Sequence, residues 1–502
     1  MTRPFSRLAG PGISLADVAR ATLATLTSDT AVTVGGIRHD SREVLPGELF
    51  LARKGRHTDG LAHLDQAIRR GACGVIVERE HAPSSLHVPL LLVDDARVAL
   101  ARAAAAIYGN PSQDMDVVGI TGTNGKTTTA EQLRVILRAA GHHPAVLGTL
   151  GAQYGTHTFE LLHNTPEADE LTRVLAWFRD QGASHVVMEA TSHALAQKRA
   201  DGVRFRVGAF TNLTHDHLDL HGDFGAYGRA KARLFLELEP ALSVIMVDDP
   251  FGAELASSLT GPVLRVSRRA DVRADVRPVS GELEVARRID CRVGTPWGPV
   301  EIQSPLFGEH NLANLLLALS IAMGMGLNLT EVAEALAEAQ APLGRLERCD
   351  GPKDGMIVFV DYAHTPDGLE KALTAVREWT SGRVLCVFGC GGDRDPTKRA
   401  PMGRVVGRLA DVAVVTSDNP RRESPEAIAR AMVEGVESES AELVIELDRA
   451  RAIGWAIEAA RDGDVVLVAG KGHETKQVVG TRALPFDDRV HVRRALSHRA
   501  RG

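Results

Sequence analysis

The chain has 502 residues, 44% of them hydrophobic and 24% charged, with a formal net charge of -6. That length suits about three domains of ordinary size, each with its own apolar core. The acidic balance argues against a nucleic-acid binder, which displays a basic face, and allows anionic ligands only where cations are concentrated locally.

The five cysteines (Cys73, Cys291, Cys349, Cys386, Cys390) are scattered and form no C-x-x-C pair. Neither a zinc knuckle nor a disulfide framework is expected, and a reducing cytoplasm fits best. Cys390, in a glycine-rich loop, is a candidate nucleophile, but no cysteine-enzyme signature accompanies it. The N-terminus lacks the apolar core of a signal peptide. The most lipid-like run, Leu312 to Leu329, is interrupted by Asn314, Ser320 and glycines, and reads as a buried helix rather than a membrane span. A cytoplasmic monomer without membrane or nucleic-acid partners is expected.

Residues 1–110 read as a first α/β unit. Strands are predicted in the stretch ending at Ala52, at Gly74–Val77 and at Pro89–Val93, with a helix over Leu64–Arg70. Ser41 and Arg42, and Arg56, His57 and Thr58 after the first strand, are candidates for an anionic ligand; the alternative is a solvated turn. Gly109-Asn-Pro-Ser-Gln-Asp114 serves as a linker.

Residues 111–342 form the central unit. A strand over Val117–Ile120 runs into Thr121-Gly-Thr-Asn-Gly-Lys-Thr-Thr128 and then a helical pattern from Ala130 to Ala140. Glycines let backbone N–H groups turn inward, and the helix start presents its positive end to an anion. Lys126 would reach the terminal phosphates of a mononucleotide and Thr127 would hold magnesium. The standard G-x-x-x-x-G-K-[ST] pattern is not met, because Ile120 stands at its first glycine and Gly119 comes one residue early. Two further strands end at Glu189 and near Leu213, so the polar segments Ala190–His193 and Thr214–Asp223 should lie beside this loop. The second interleaves His215, His217 and His221 with Asp216, Asp219 and Asp223. Zinc lacks its usual spacing there; magnesium on Glu189 and a histidine suits a nucleotide site better. Lysine is scarce in this arginine-rich chain, which draws notice to Lys126, Lys231 and Lys471. Lys231, on a predicted helix, is either functional or an exposed surface lysine.

After a second linker at Ala339–Gly344, residues 343–502 form a third α/β unit. Four predicted strands each discharge into a polar loop, at Asp361–Pro366, Gly389–Asp395, Asp418–Arg421 and Gly470–Glu474. That is the layout of a doubly wound, Rossmann-like fold with its site along one edge. The Gly389 loop fails G-x-G-x-x-G, since Arg394 replaces the last glycine.

With Thr121–Thr128, His310-Asn311, Gly344-Arg345, Asp361–Pro366 and the terminal loops in order, the whole chain resembles the Mur ligase family. The resemblance implies a three-domain α/β architecture: an N-terminal UDP-substrate unit, a central P-loop-type ATP-binding unit and a C-terminal amino-acid-binding unit. Asp40-Ser41-Arg42 with Pro46-Gly47, Asp418-Asn-Pro-Arg421 and Lys471-Gly-His-Glu474 point to the type that adds the third residue to UDP-MurNAc-L-Ala-D-Glu, most often meso-diaminopimelate. By the same resemblance, Ser41 and Arg56–Thr58 serve the UDP end, and Asn164, Thr165, Pro166, Thr191, Gln197 and Arg199 the muramoyl dipeptide. Pro166 stands where most relatives carry a hydroxyl. The loop from Gly119 through Thr121, Gly122, Thr123, Asn124, Gly125, Lys126, Thr127 and Thr128 serves ATP, joined by Asn311, Arg345 and Asp361. Magnesium falls to Thr127, Glu189, His217 and Lys231, the last as a carbamate formed with CO2. Arg394, Asp418, Asn419, Pro420, Arg421, Gly470 and Glu474 form the pocket for the incoming amino acid.

The implied chemistry is an acyl phosphate made from ATP and the D-Glu carboxylate, then opened by an amine. Cations must absorb the charge of two anions brought together, which suits Lys126 and magnesium. Arg421 can grip a carboxylate in bidentate fashion and Glu474 can face an ammonium. Diaminopimelate has an extra carboxylate that lysine and ornithine lack, so Arg421 favours it. The rivals are a ligase using lysine or ornithine, a MurF-type or folate polyglutamate ligase, and a non-enzymatic nucleotide-binding scaffold.

Overall fold

The computed structural model describes residues 4–28, 31–55, 59–84, 86–214, 221–351 and 354–500. The first sheet has five strands in the order Thr25–Leu26, Leu90–Val93, Gly74–Glu78, Glu48–Ala52 and Gly36–Arg38. Only the first pair is antiparallel. The parallel strands are buried on both faces, which is why they read as unbroken apolar runs. Helices Leu15–Thr22 and Ala96–Ile107 cover them, started by Ser14 and Asp95 side chains that accept backbone N–H groups. The second helix is rich in alanine and passes close to the central unit: a Cβ on Gly202 would lie 2.4 Å from the Ala101 carbonyl oxygen.

The central sheet has eight strands. The phosphate-loop strand Asp116–Thr121 lies in its middle, between His185–Glu189 and Val207–Phe210. All three are parallel, with Glu189 opposite Ile120 and Phe210 opposite Thr121, so their following loops leave at one edge. Alternation along the strands feeds two cores. Val118, Ile120 and Val187 pack under helices Lys126–Ala139 and Glu309–Gly324. Val117, Val186 and Met188 pack under Ala168–Asp180 and Phe224–Leu236. The apolar run after Asn311 is thus a buried helix, and no helix among the described residues is long and apolar enough to cross a membrane.

The linker Gly109–Asp114 is a packed corner: Ser112 is buried and accepts the Arg204 N–H at 3.0 Å, while Arg179 donates to the Tyr108 carbonyl at 3.2 Å. One feature departs from the sequence reading. A three-stranded antiparallel sheet, Arg277–Glu284, Ile289–Gly294 and Val300–Ser304, was not foreseen. Its signal is the alternation of Ile289, Cys291 and Val293, which face the first central core.

The third sheet runs Glu347–Arg348, Ile357–Asp361, Val465–Ala469, Val384–Phe388, Val412–Val415 and Glu442–Ile445. Only the first strand is antiparallel, so the four predicted polar loops do leave from one edge. Gly344 takes a φ of 66°, and a Cβ there would lie 2.1 Å from the His473 backbone nitrogen. Only glycine permits that approach.

Candidate active site

The loop after Thr121 is shaped by Gly122 and Gly125, at φ 143° and 88°. Side chains would collide at both: a Cβ would sit 1.8 Å from Thr211 Oγ1 and 2.3 Å from Asn314 Oδ1. No side chain caps the helix at Gly125, so its first N–H groups remain directed at the loop. Lys126 Nζ donates to the carbonyls of Gly122 and Thr123 at 2.7 and 2.8 Å. Lys231 is buried rather than exposed. Its Nζ lies over the Tyr227 ring and donates to the same Gly122 carbonyl at 2.8 Å. Two lysine side chains therefore converge on one carbonyl oxygen.

Beside them lies a buried oxygen cluster. Glu189 Oε1 accepts from Thr127 Oγ1 at 2.8 Å and from the Thr149 N–H at 2.9 Å, and Oε2 accepts from Thr149 Oγ1 at 3.0 Å. Asn164 donates to Thr149 Oγ1, and Thr165 Oγ1 donates to the Glu189 carbonyl at 2.7 Å and lies 3.2 Å from Thr191 Oγ1. Thr191 also starts helix Ser192–Ala196. Arg199 donates to the Thr165 carbonyl and to Gln197 Oε1. Asn164, Thr165, Thr191, Gln197 and Arg199 thus form one hydrogen-bonded group leading to Glu189, with Pro166 buried in its backbone. Hard oxygen donors at Thr127 and Glu189 suit magnesium.

The third unit contributes a second polar group. Lys471 is fully buried, donating to Glu474 Oε2 at 3.0 Å, Asn419 Oδ1 at 3.2 Å and the Lys476 carbonyl at 2.7 Å. Asn419 donates to Glu474 Oε2 at 2.8 Å, and Asp418 lies behind Lys471 at 3.8 Å. Gly470, at φ 115°, lets the chain pass Asp418, where a Cβ would lie 2.8 Å from Oδ2. Arg421, after Pro420, adopts a left-handed φ of 51° and donates to the Gly392 carbonyl at 2.8 Å. Arg421 and exposed Arg394 flank Gly391. Elsewhere in the third unit a different residue meets the phosphate loop: Asp367 Oδ2 accepts from Asn124 at 2.7 Å and from Thr214 Oγ1 at 3.1 Å. Burial, with Arg345 next in effect, pushes His473 down to about 4, and the Glu189 charge is close enough to oppose that shift.

Several predicted residues sit apart from these groups. Gly119 lies within its strand, where it makes room for the Phe205 ring. Thr121 is fully buried at the strand end, and Thr128 is buried in the helix. Asn311 is buried behind the loop, spending its amide on the Phe307 carbonyl. Asp361 accepts the N–H groups of Leu346 and Ala363, both at 2.7 Å, which places Arg345 over the Tyr362 ring. Burial pushes the Asp361 carboxyl up. Ser41 is buried and bonded to Gln66, whereas Arg42 is an exposed partner of Asp40. Asp223 caps helix Phe224–Leu236 rather than joining an oxygen cluster, and His221 bonds Ser192. Burial pushes the Cys390 thiol up, which does not suit a nucleophile. Arg56, His57, Thr58, His215, Asp216, His217 and Asp219 lie outside the described residues. Thr149, Tyr227 and Asp367 were not anticipated; Thr149 could have been found as the residue following the next strand, Pro144–Gly148.

Three family models match the chain: Mur ligase family, catalytic domain, over residues 33–108; Mur ligase middle domain over 120–322; and Mur ligase, glutamate ligase domain, over 344–472. A UDP-N-acetylmuramoyl-L-alanyl-D-glutamate--2,6-diaminopimelate ligase from Geobacter metallireducens is 43% identical, covering 94% of this chain and 96% of its own. The enzyme of the same name from Gloeobacter violaceus is 42% identical, over 93% and 95%. A solved structure bearing that name covers 97% of this chain and 99% of its own, with a TM-score of 0.70 at 29% identity. The fold is also that of a folylpolyglutamate synthase from Mycobacterium tuberculosis, at TM-score 0.61 and 19% identity, covering 74% of this chain and 92% of its own. The chain belongs to the Mur ligase family.

Proposed function

We propose that the protein is an ATP-dependent ligase adding meso-diaminopimelate to UDP-N-acetylmuramoyl-L-alanyl-D-glutamate, a step in peptidoglycan precursor synthesis. Near-full-length likeness to enzymes of that name supports the reaction. The single observation that carries the mechanism is the convergence of Lys126, Lys231 and the Thr127–Glu189 pair at one loop, beside the Asn164–Arg199 group. We assign the UDP end to the first unit, ATP to the second and the amino acid to the third.

ATP would lie with its phosphates on the loop amides and the helix start, its terminal phosphate met by Lys126. Asn164, Thr165, Thr191 and Arg199 would hold the dipeptide with its D-Glu carboxylate against that phosphate. A carboxylate oxygen attacks the γ-phosphorus, ADP departs and an acyl phosphate remains. The diaminopimelate amine then attacks the carbonyl carbon, loses its proton, and phosphate leaves with the oxygen that joined it to carbon. Lys126 and the loop amides stabilise charge on the transferring group without rearranging. Arg421 and Arg394 would take the distal carboxylate, and Glu474, held by Lys471 and Asn419, would take the ammonium. Glu189 and Thr127 would hold magnesium, with His217 and carbamylated Lys231 as further ligands; bound there, the ion neutralises phosphate charge. The neutral lysine amine is the form that captures CO2, which turns a cation into a carbamate with oxygen ligands for magnesium.

Phosphate release is the test, across UDP-MurNAc-L-Ala-D-Glu with diaminopimelate, lysine and ornithine. Turnover should require the UDP acceptor and favour diaminopimelate. A preference for lysine or ornithine would refute the amino-acid assignment, and acceptor-independent ATP consumption would refute the ligase.

A further inference from the structure

Glu167, directly after Asn164-Thr165-Pro166, spans two units. Its Oε1 pairs with Arg199 Nη2 at 2.8 Å and its Oε2 with Arg53 Nη2 at 3.3 Å. Arg199 belongs to the dipeptide group; Arg53 follows strand Glu48–Ala52 of the first unit. Glu167 stands at the start of helix Ala168–Asp180, but its side chain makes no capping bond there, and both carboxylate oxygens face guanidinium groups. Both arms are largely shielded, Arg199 being 5% exposed. Strands Gly36–Arg38 and Glu48–Ala52 are parallel neighbours, with Arg38 opposite Phe50. Their ends therefore bring His39 and Arg53 out at the same edge of the first sheet, where His39 Nδ1 lies 2.8 Å from Asp169 Oδ1. Ser41 follows two residues later. One helix start thus holds the first unit beside the dipeptide group through two separate ion pairs.

We infer that Glu167 is a positioning residue for the acceptor, locking the spacing between the UDP end and the dipeptide end of its binding surface. The inference rests on the acceptor proposed above. A ligand that spans two surfaces gains from both only when their separation matches its own length, and a fixed separation spares it the cost of ordering them. Removing one partner of a shielded charge pair costs more than the pair is worth, because the remaining charge is stranded. Arg199 would lose an anchor that sets its direction toward the Thr165 backbone, while Arg53 would lose only its link to the central unit.

The test is calorimetric binding, without ATP, of UDP-MurNAc-L-Ala-D-Glu and of the same dipeptide lacking the UDP group. In the unaltered protein the UDP-bearing acceptor should bind far more tightly. Arg53→Gln breaks only the arm from the first unit; it should weaken the full acceptor about tenfold and leave the truncated one unchanged. Glu167→Gln should weaken the full acceptor by more, and the truncated one too, through Arg199. Thermal melts keep a folding defect apart, and Arg53→Gln serves if Glu167→Gln does not fold. Equal weakening of both acceptors by Arg53→Gln, or none, would overturn the inference. If the unaltered protein binds neither acceptor, the proposed function itself fails, and the inference falls with it.

Discussion

The central unit has two seams, and they are built differently. Toward the first unit, buried or shielded charges are paired across the boundary: His39 with Asp169, Arg53 with Glu167, and Arg173 with the Ile37 carbonyl at 3.0 Å. Toward the third unit, the polar contacts among the described residues are more exposed. Asp367 meets Asn124 and Thr214, Lys476 meets Glu160 with both side chains exposed, and an aromatic cluster joins Phe307 to Phe359 and Trp379. Charges taken out of water hold their geometry tightly, because separating them strands each one. Exposed pairs are worth little and part easily. The first seam is therefore suited to presenting a long acceptor at fixed spacing. The second is suited to a unit that approaches and withdraws, as lid and domain closure in ligand-gated sites requires.

The widest separation of the two should come from Lys126→Ala. Turnover is expected to fall about a thousandfold, the scale for losing a preorganised charge partner, while calorimetric affinity for the UDP acceptor stays within about twofold. Equal loss of both would mean the loop serves the acceptor as well. Next in size, Lys231→Ala should lower turnover about a hundredfold, with partial recovery on adding short carboxylates that restore the missing oxygens. Full activity without any additive would end the carbamate proposal.

Matched changes at the seams should give opposite profiles. Asp169→Asn strands Arg173 and removes the His39 partner, and should cost about 3 kcal/mol in denaturant melts. Asp367→Asn should barely move the melt yet raise the KM for ATP several-fold, since its carboxylate touches the phosphate loop. Similar profiles for the two would erase the distinction between the seams.

The smallest expected effect is a pH dependence. Burial opposes charge on His39, but the Asp169 carboxylate outweighs it and raises the histidine to about 9 from an ordinary 6.5. The pair's contribution is then complete below about pH 6.5 and lost as pH rises through about 9. The difference in melting temperature between the unaltered protein and His39→Gln should therefore shrink from pH 6 to 10. A constant difference would show that the pair is not ionic.

What the sequence made legible follows from locality. The phosphate loop, the strands ending in polar residues and the glycines at Gly344 and Gly470 are each declared within a few consecutive residues. The burial of Lys231 was not visible, because what hides it is the Tyr227 ring one helical turn away and a carbonyl at Gly122. Thr149, Asp367 and Glu167 were missed for a related reason: each gains its meaning from partners far along the chain, and alone reads as an ordinary polar residue near an element's end. The packed corner at Gly109–Asp114 shows the converse, since turn formers signal a bend in the backbone and not whether that bend is loose.

The central claim is that the D-Glu carboxylate is phosphorylated at the Lys126 loop before the amine arrives. The most direct measurement uses acceptor labelled with heavy oxygen in that carboxylate, followed by mass analysis of the phosphate released during ligation with diaminopimelate. Each phosphate is expected to carry one labelled oxygen. Unlabelled phosphate, or label recovered in the nucleotide, would contradict it.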